Sequence, residues 1–297
     1  MVKSVGIVGL GDMGLGMARN ILASGFSLTG FDIRESQLVE LEKAGGSRAE
    51  SCLQVGEQSD VVFVMVLNGD QVKQAVLGAD GLLAGMRSGT TLIISATINP
   101  AEVKELVDPV SEKGLHLIDS PVSGGKSGAE GGALTMMVAA KDEVLAAQQD
   151  VLDAIAKTVL HVGHEIGQGQ TVKAALQAMI GTTFAAIFES LVLGASAGVK
   201  GETLYKVFSS SAIGCPLFDN CAKLIMDRKF KDTGSQIKTM YKDLGISMNM
   251  AKETGSAMFT TSAAYELFQS GISMFPTEDN WSVVKLLEQI AGTEVTW

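Results

Sequence analysis

Glycines recur near the amino terminus at a spacing that suits phosphate binding. The pattern G-x-G-x-x-G consists of Gly9, Leu10, Gly11, Asp12, Met13 and Gly14. An apolar run precedes it and a helical pattern follows it, so the motif joins a strand to a helix. Gly9 permits a tight turn, Gly11 lets the backbone approach a pyrophosphate, and Gly14 lets helix and strand pack closely. The segment predicts a dinucleotide site at a helix amino terminus, with a ligand-free glycine turn as the alternative.

A carboxylate ends the next predicted strand. Asp32 follows the strand 27–31 and lies eighteen residues after Gly14. In dinucleotide-binding folds, a carboxylate at this place accepts a hydrogen bond from the adenosine ribose 2′-hydroxyl and repels a 2′-phosphate. Arg34, two residues later, could instead contact a 2′-phosphate. We expect NAD in preference to NADP, and the alternative for Asp32 is an ordinary surface residue at a strand end.

Two further segments carry groups that could act on a small anion. Ser123, Gly124 and Gly125 follow a predicted strand, where an open α/β sheet places its ligand crevice. A serine hydroxyl and two glycine N–H groups suit a carboxylate, although such a segment is more often a flexible turn. Lys173 follows a glycine-rich turn at a predicted helix start, where a lysine is usually solvated. The residues alone leave both alternatives open.

The elements that must position these residues alternate between strand and helix in the first half of the chain. The predicted strands are 5–9, 27–31, 61–66, 91–95 and 115–119, and the predicted helices are 13–24 and 36–44. The third strand is apolar throughout, as expected of a parallel strand covered on both faces. Alternating units with short turns imply right-handed crossovers. We therefore predict an α/β fold with a doubly wound Rossmann domain over residues 1–162.

The pattern changes in the second half. Residues 167–198 contain no proline and many alanines, which predicts one long helix of about 45 Å. A membrane span is the alternative, but only fifteen residues separate Lys173 from Glu189, and a span needs roughly 20 apolar residues. Residues 200–290 have helical periodicity and no convincing strand. We predict an all-α domain over 163–297 that binds substrate and supports oligomerisation.

Composition and charge exclude several classes of protein. The hydrophobic fraction of 46 % is ample for a core and is not that of a disordered chain. The net charge of −10 opposes binding to nucleic acid and to anionic membranes. Three cysteines without framework spacing suggest a reducing compartment, and no targeting peptide is visible. These features predict a cytoplasmic protein that uses neither nucleic acid nor a membrane as a partner.

Four segments together resemble the β-hydroxyacid dehydrogenase family along the whole chain. The matching segments are 6–14 with Ala18, Asn20 and Gly25, 119–125 with Ala129 and Gly132, 167–173, and Lys242-Asp243-Leu244. The resemblance implies a cofactor motif, a substrate-binding signature, a catalytic motif and a fourth segment in the helical domain. The family includes 3-hydroxyisobutyrate, 6-phosphogluconate, tartronate semialdehyde and L-threonate enzymes.

The resemblance implies a general acid/base and its neighbours. Lys173 aligns with the family's catalytic lysine, which takes the hydroxyl proton in oxidation and returns it in reduction. An unperturbed lysine has a pKa of about 10.4, so burial and the nearby nicotinamide cation are expected to lower it. Ser123, Gly124 and Gly125 would bind the substrate.

One position departs from the usual family pattern. The family usually has asparagine four positions after the lysine, on the same helix face. This chain has Gln177, an amide that is one methylene longer. Glutamine here, with Val72-Lys73-Gln74 after Asn68, resembles the L-threonate branch and puts a 3-hydroxyisobutyrate assignment in doubt.

The resemblance also implies contacts on the cofactor side. Leu67 and Asn68 lie where the family contacts the adenosine half, and Thr97 lies at a nicotinamide-side position. Lys242 would reach the cofactor or the substrate, oriented by Asp243. The alternative for Lys242 is a solvated helix residue.

Two histidines lie close together in the sequence. His161 and His164 have an i, i+3 spacing across a predicted strand-to-loop junction with no third ligand nearby, so we predict no metal site.

The leading hypothesis is an NAD-dependent dehydrogenase of L-threonate or a related sugar acid, active as a homodimer or homotetramer. A 3-hydroxyisobutyrate dehydrogenase or a tartronate semialdehyde reductase is the alternative enzyme. A dinucleotide-binding sensor or scaffold is the alternative without catalysis.

Overall fold

The structure, a computed structural model, describes residues 3–297. The chain divides into two compact units, of which the first ends at Lys173 and the second begins at Ala174. The domain limits 1–162 and 163–297 stay a prediction.

One sheet forms the centre of the first unit. Within residues 3–297 its strands are β1 (Ser4–Val8), β2 (Ser27–Phe31), β3 (Ser47–Arg48), β4 (Val61–Val64), β5 (Thr91–Ile94), β6 (His116–Asp119), β7 (Val122–Ser123), β8 (Leu134–Ala139) and β9 (Ala156–Gly163). Their order is β3-β2-β1-β4-β5-β6-β8-β7, with β9 paired to β8. The six strands from β3 to β6 are parallel, whereas β8 is antiparallel to β6 and β7. The order reverses between β1 and β4, which is where such sheets open a ligand crevice at their carboxyl ends.

Helices cover both faces of this sheet, as its two apolar faces require. They are α1 (Asp12–Ala23), α2 (Glu35–Lys43), α3 (Cys52–Gln58), α4 (Gly69–Leu77), α5 (Leu82–Gly85), α6 (Pro100–Lys104), α7 (Val107–Glu112), α8 (Gly125–Glu130) and α9 (Asp142–Asp153). Phe63 and Ile93 belong to one core cluster, and their neighbours Val62 and Leu92 belong to the other. This alternation buries the central strands on both faces and confirms the predicted doubly wound fold.

The second unit is helical, as predicted. Its elements are the greater part of α10 (Gln168–Ser196), then α11 (Gly201–Ser209), α12 (Pro216–Met226), α13 (Ile237–Thr254), α14 (Phe259–Met274), a 3₁₀ turn (Asn280–Ser282) and α15 (Val283–Ala291). Within residues 174–297 the β pairing is limited to a single bridge between Gln236 and Asp279. A Cβ added to Gly181 would lie 2.6 Å from a methyl carbon of Leu244, so the glycine lets α10 and α13 approach closely.

The long helix predicted for 167–198 is α10, with 29 residues. By length and composition α10 could cross a membrane, and 39 % of its most apolar 18 residues is buried. One such helix is weak evidence for a span, because a core helix has the same properties. Phe188 and Leu191 of α10 are fully buried in the apolar core of the second unit.

Candidate active site

The glycine motif forms a tight turn between β1 and α1. Gly9 has a φ of 93° and donates its N–H to the Phe31 carbonyl at 2.9 Å. A Cβ on Gly14 would lie 1.9 Å from the Gly9 oxygen, so the turn requires glycine there. The nearest described atom to a Cβ built on Gly11 is Arg34 Nη2, at 3.7 Å. The space beside Gly11 and the unpaired N–H groups that any helix start presents would fit a pyrophosphate.

Asp32 is held against this turn by four hydrogen bonds. Its Oδ2 accepts from Leu10 N–H at 2.8 Å and from Arg34 Nη2 at 3.1 Å, and its Oδ1 accepts from Arg34 N–H and Nε at 2.9 and 3.0 Å. Burial raises the pKa of Asp32, but the hydrogen bonds outweigh burial and leave it below its usual value. A carboxylate offers about four lone-pair sites. A ribose hydroxyl would therefore bond to Asp32 only by displacing an Arg34 contact.

The loop after β4 has its own structural role. Asn68 caps α4, because its Oδ1 accepts from Gln71 N–H at 2.9 Å. In turn, the side-chain oxygen of Gln71 accepts a hydrogen bond from Leu67 N–H at 2.9 Å. The loop is thus fixed at the carboxyl end of β4, the edge of the sheet where the glycine turn also lies. A contact of Leu67 or Asn68 with a cofactor stays a prediction.

A glutamine in α10 fixes the loop after β5. The Gln170 amide nitrogen donates to the Ala96 carbonyl at 2.9 Å, and its oxygen accepts from Ile98 N–H at 3.1 Å. Thr97 lies between the two peptide groups that Gln170 holds. The predicted nicotinamide-side residue and the start of α10 are therefore parts of one hydrogen-bonded assembly.

The Ser123-Gly124-Gly125 turn lies beside α1. Gly124 and Gly125 have φ values of 134° and 60°, conformations that favour glycine. They lead into α8, and the Asn20 side chain of α1 donates to the Ala129 carbonyl of α8 at 2.8 Å. The Lys126 ammonium also lies 3.7 Å from Asp12 Oδ1 in the glycine motif. These contacts bring the predicted substrate turn close to the predicted cofactor turn.

Asp119, at the end of β6, holds the start of α10. Its buried Oδ2 accepts from Gly167 N–H at 2.9 Å and from Gln170 N–H at 3.2 Å. A Cβ on Gly169 would lie 2.7 Å from the Asp119 and Met137 carbonyl oxygens, so the first turn of α10 presses against the sheet. Burial raises the pKa of Asp119 to about 6, although the hydrogen bonds from Gln170 and Gly167 oppose the rise.

Lys173 lies one helical turn beyond this anchored start. It is four residues after Gly169, and only 6 % of its surface is exposed. The structure therefore contradicts the solvated-lysine alternative. The role of Lys173 as a general acid/base, which the resemblance implies, stays a prediction.

The second unit contains a buried chain of polar groups. The Gln177 amide nitrogen donates to Asp243 Oδ2 at 2.5 Å, and Lys242 Nζ lies 2.9 Å from Asp243 Oδ1. Gln177 and Asp243 are 7 % and 3 % exposed. Ser247 Oγ donates to the Ala174 carbonyl at 2.8 Å and so ties α13 to α10. The orientation of Lys242 by Asp243, expected from the sequence, is present as an ion pair.

Two positioning residues and one cluster were not predicted from the sequence. Asp119 and Gln170 lie within the segments 119–125 and 167–173 that carry the resemblance, but no role of their own was predicted for them. The expectation that His161 and His164 have no third ligand nearby is wrong, because Asp142 Oδ1 lies 3.4 and 3.8 Å from their Nδ1 atoms. Asp142 begins α9, nineteen residues before His161, and no local pattern connects them.

Family models match nearly the whole chain. A model described as the NAD binding domain of 6-phosphogluconate dehydrogenase matches residues 4–163. A model described as NAD-binding of NADP-dependent 3-hydroxyisobutyrate dehydrogenase matches residues 167–287.

Full-length relatives agree with these matches. The chain is 33 % identical to 2-(hydroxymethyl)glutarate dehydrogenase of Eubacterium barkeri, over 100 % of this chain and 99 % of the relative. It is 33 % identical to L-threonate dehydrogenase of Cupriavidus necator, over 98 % of each. The crystal structure of 3-hydroxyisobutyrate dehydrogenase from Salmonella typhimurium is similar with a TM-score of 0.88 and 31 % identity, over 96 % of this chain and 99 % of that one.

These relatives are named as dehydrogenases, and the chain is accordingly an NAD(P)-dependent oxidoreductase that acts on the CH–OH group of a hydroxy acid. The glycine turn, the Ser123 turn and buried Lys173 lie at the positions that carried the sequence resemblance. The chain belongs to the β-hydroxyacid dehydrogenase family.

Proposed function

We propose that this enzyme oxidises a short polyhydroxy acid, L-threonate or a related sugar acid, with NAD and with Lys173 as the general acid/base. The observation that carries the substrate proposal is the buried chain Gln177–Asp243–Lys242. A buried amide and carboxylate beside the half-buried Lys242 ammonium suit a substrate with several hydroxyl groups better than one with a methyl group, because hydroxyl groups can exchange hydrogen bonds with them and a methyl group cannot. The name of the Cupriavidus relative supports this choice.

Lys173 is proposed to move the proton. In oxidation its neutral amine accepts the hydroxyl proton, and in reduction its ammonium returns it. Bound NAD would supply the hydride acceptor. Burial of Lys173 excludes bulk water from the exchange, and the anchored start of α10 fixes where the amine lies. A well-placed acid/base contributes roughly 10²–10⁴-fold to the rate.

The Ser123 turn is proposed to bind the substrate carboxylate. Ser123 offers a hydroxyl, and Gly124 and Gly125 expose backbone N–H groups in a turn that a Cβ would strain. Consecutive N–H groups in such turns bind anions.

Gln177 is proposed to bind a second substrate hydroxyl. Only the nitrogen end of an amide can donate to a carboxylate, so the bond to Asp243 fixes which way the Gln177 amide points. Its oxygen then offers an acceptor to a substrate O–H. A 3-hydroxyisobutyrate or tartronate semialdehyde substrate is the alternative. The name of the Eubacterium relative adds 2-(hydroxymethyl)glutarate as a further alternative substrate.

The preference for NAD rests on Asp32. Its pKa lies below the usual value, so it carries a full negative charge at neutral pH and repels a 2′-phosphate. The Arg34 guanidinium partly offsets that charge. Because it is half exposed, it can contact a 2′-phosphate and so allow weaker binding of NADP.

A kinetic panel tests the proposal. We measure kcat/KM with each of two cofactors, NAD and NADP, on L-threonate, D-glycerate, 3-hydroxyisobutyrate and 2-(hydroxymethyl)glutarate. We expect the highest kcat/KM with L-threonate and NAD, and a loss of at least about 10²-fold in Lys173→Ala. Exposed Lys113→Ala is the matched control and should retain full activity. A higher kcat/KM on 3-hydroxyisobutyrate would refute the substrate proposal, and an active Lys173→Ala would refute the role of the lysine.

We also propose that the enzyme is a cytoplasmic homodimer or homotetramer. Met179 and Leu193 of α10 are 70 % and 72 % exposed, and a second copy would cover such large apolar side chains. Light scattering of the purified enzyme tests this proposal, and a mass equal to that of one chain would refute it.

A further inference from the structure

Three potential metal ligands meet on the surface of the first unit. They are Asp142 at the start of α9, His161 in β9 and His164 just after β9. One nitrogen or oxygen from each side chain lies within 4.8 Å of the others. The two imidazole rings meet edge to face with centroids 4.9 Å apart. No residue that we assign to substrate or cofactor belongs to this group.

A backbone carbonyl sets the hydrogen position on one histidine. His161 Nε2 lies 2.9 Å from the Ala140 carbonyl oxygen. Because a carbonyl can only accept, Nε2 carries the hydrogen and the Nδ1 atom of a neutral ring carries a lone pair. Metal-binding histidines are commonly held in this way, with the second nitrogen donating to a carbonyl or carboxylate. His161 is therefore oriented as a ligand through Nδ1.

The Nδ1 atom of His161 lies near another acceptor. It lies 3.4 Å from Asp142 Oδ1, and His164 Nδ1 lies 3.8 Å from the same oxygen. A neutral imidazole nitrogen and a carboxylate oxygen repel each other unless a proton or a cation lies between them. Because His164 Nδ1 also lies near this oxygen, three potential ligand atoms converge at one place, an arrangement that favours a bound cation.

The separations suit a small divalent ion. In a tetrahedral site with bonds of about 2.0–2.1 Å, the ligand atoms lie about 3.3 Å from one another. The two observed nitrogen–oxygen separations, 3.4 and 3.8 Å, are close to that distance between ligand atoms. His164 is largely exposed, so its side chain can turn inward to complete the geometry. We propose that Asp142, His161 and His164 form a binding site for a divalent transition-metal ion such as Zn²⁺, with water as a fourth ligand.

The ligand types set the choice of metal. Two imidazole nitrogens and one carboxylate favour Zn²⁺, Cu²⁺ or Ni²⁺, whereas Mg²⁺ and Ca²⁺ prefer oxygen ligands throughout. A bound ion would tie α9 to the end of β9. It would also fix the position of His164, which lies three residues before Gly167. The Gly167 N–H donates to Asp119. The ion would therefore stabilise the chain just before the catalytic helix.

Calorimetry with Zn²⁺ tests the site. The complete enzyme, in a buffer that does not bind metals, is titrated with ZnSO₄ at fixed pH, and its Tm is measured at each Zn²⁺ concentration. We expect one Zn²⁺ per chain and a Tm that rises with Zn²⁺, because the ion binds only the folded state. Mg²⁺ at millimolar concentration should neither compete nor raise Tm. His164→Gln and Asp142→Asn should each bind at least about tenfold more weakly.

Two control variants make the result specific. His116→Gln removes the third histidine of the chain, which lies in β6 outside the cluster, and Cys215→Ser removes an exposed thiol that could bind Zn²⁺ by itself. Both should bind as the wild type does. Undiminished binding in His164→Gln, loss of binding in Cys215→Ser, or no saturation by the wild type up to about 1 mM Zn²⁺ would each overturn the proposal.

Discussion

Replacing Asp119 by asparagine should change how stability depends on pH. Burial raises the pKa of this carboxyl to about 6 in the folded protein, against 3.8 ordinarily. The folded state therefore binds the proton more tightly than the unfolded state does. The resulting stability is fully present below pH 3.8 and is lost as the pH rises through 6, about 3 kcal/mol in all. Between pH 5 and pH 7.5 the loss is about 1.4 kcal/mol.

Asparagine does not titrate in this range, so the Asp119→Asn variant does not lose this stability as the pH rises. Its side-chain oxygen can still accept one of the two N–H bonds from Gly167 and Gln170. The assay is urea unfolding of wild type and variant at pH 5, 6, 6.5 and 7.5. We expect the free energy of unfolding of the variant, relative to wild type, to rise by about 1.4 kcal/mol over that range.

A second carboxyl provides the control. Hydrogen bonds from Ser4 hold the pKa of Asp60 below its usual value, so Asp60 is ionised in both states above pH 5. The difference between Asp60→Asn and wild type should therefore stay constant from pH 5 to pH 7.5. A similarly flat difference for Asp119→Asn would refute the raised pKa. A falling difference would mean that the helix start lowers the pKa more than burial raises it.

Three further substitutions test the cofactor and substrate residues. Gly14→Ala forces a Cβ against the Gly9 oxygen and should cost about 1–3 kcal/mol in urea unfolding and weaken NAD binding in a fluorescence titration. Arg34→Ala frees the Asp32 carboxylate, so kcat/KM with NADP should fall at least about tenfold while that with NAD holds or rises. Gln177→Asn shortens the amide bonded to Asp243 and should lower kcat/KM for L-threonate about tenfold, with a smaller effect on 3-hydroxyisobutyrate. An equal fall on both substrates would contradict the role of Gln177.

The first half of the fold could be predicted because its signals are local. Apolar runs bounded by glycine and aspartate located five parallel strands, and the predicted ends lie within two residues of the observed ones. The strands β3, β7 and β8 were not predicted, and β9 was expected only as a strand-to-loop junction at His161. The run Leu134–Ala139 is apolar at almost every position, so its periodicity does not separate a strand from a buried helix. Half of the β9 residues are exposed and the strand is partly polar, so its assignment depends on pairing with β8.

The candidate site was predictable only where the sequence carries a motif. The glycine turn, the Ser123 turn and Lys173 each belong to a compact segment, so their residue types and spacing could be recognised. Asp119 and Gly167 are separated by 48 residues, and Gln170 and Ala96 by 74. Such pairs form only when the sheet brings the ends of its strands together. The cluster of Asp142 with the two histidines was missed for the same reason.

These long-range pairs explain how a helix start can hold the amine proposed for proton transfer in place. A helix leaves its first N–H groups without intrahelical acceptors, so its first turn frays unless other groups accept them. Here the Asp119 carboxylate accepts two of them, and the Gln170 side chain binds the backbone on both sides of Thr97. Lys173 follows within one turn. The position of Lys173, the proposed proton-transfer group, and that of the predicted nicotinamide-side loop are therefore set by the same two side chains. Substitutions at Asp119 or Gln170 should thus disturb catalysis without either residue touching the substrate.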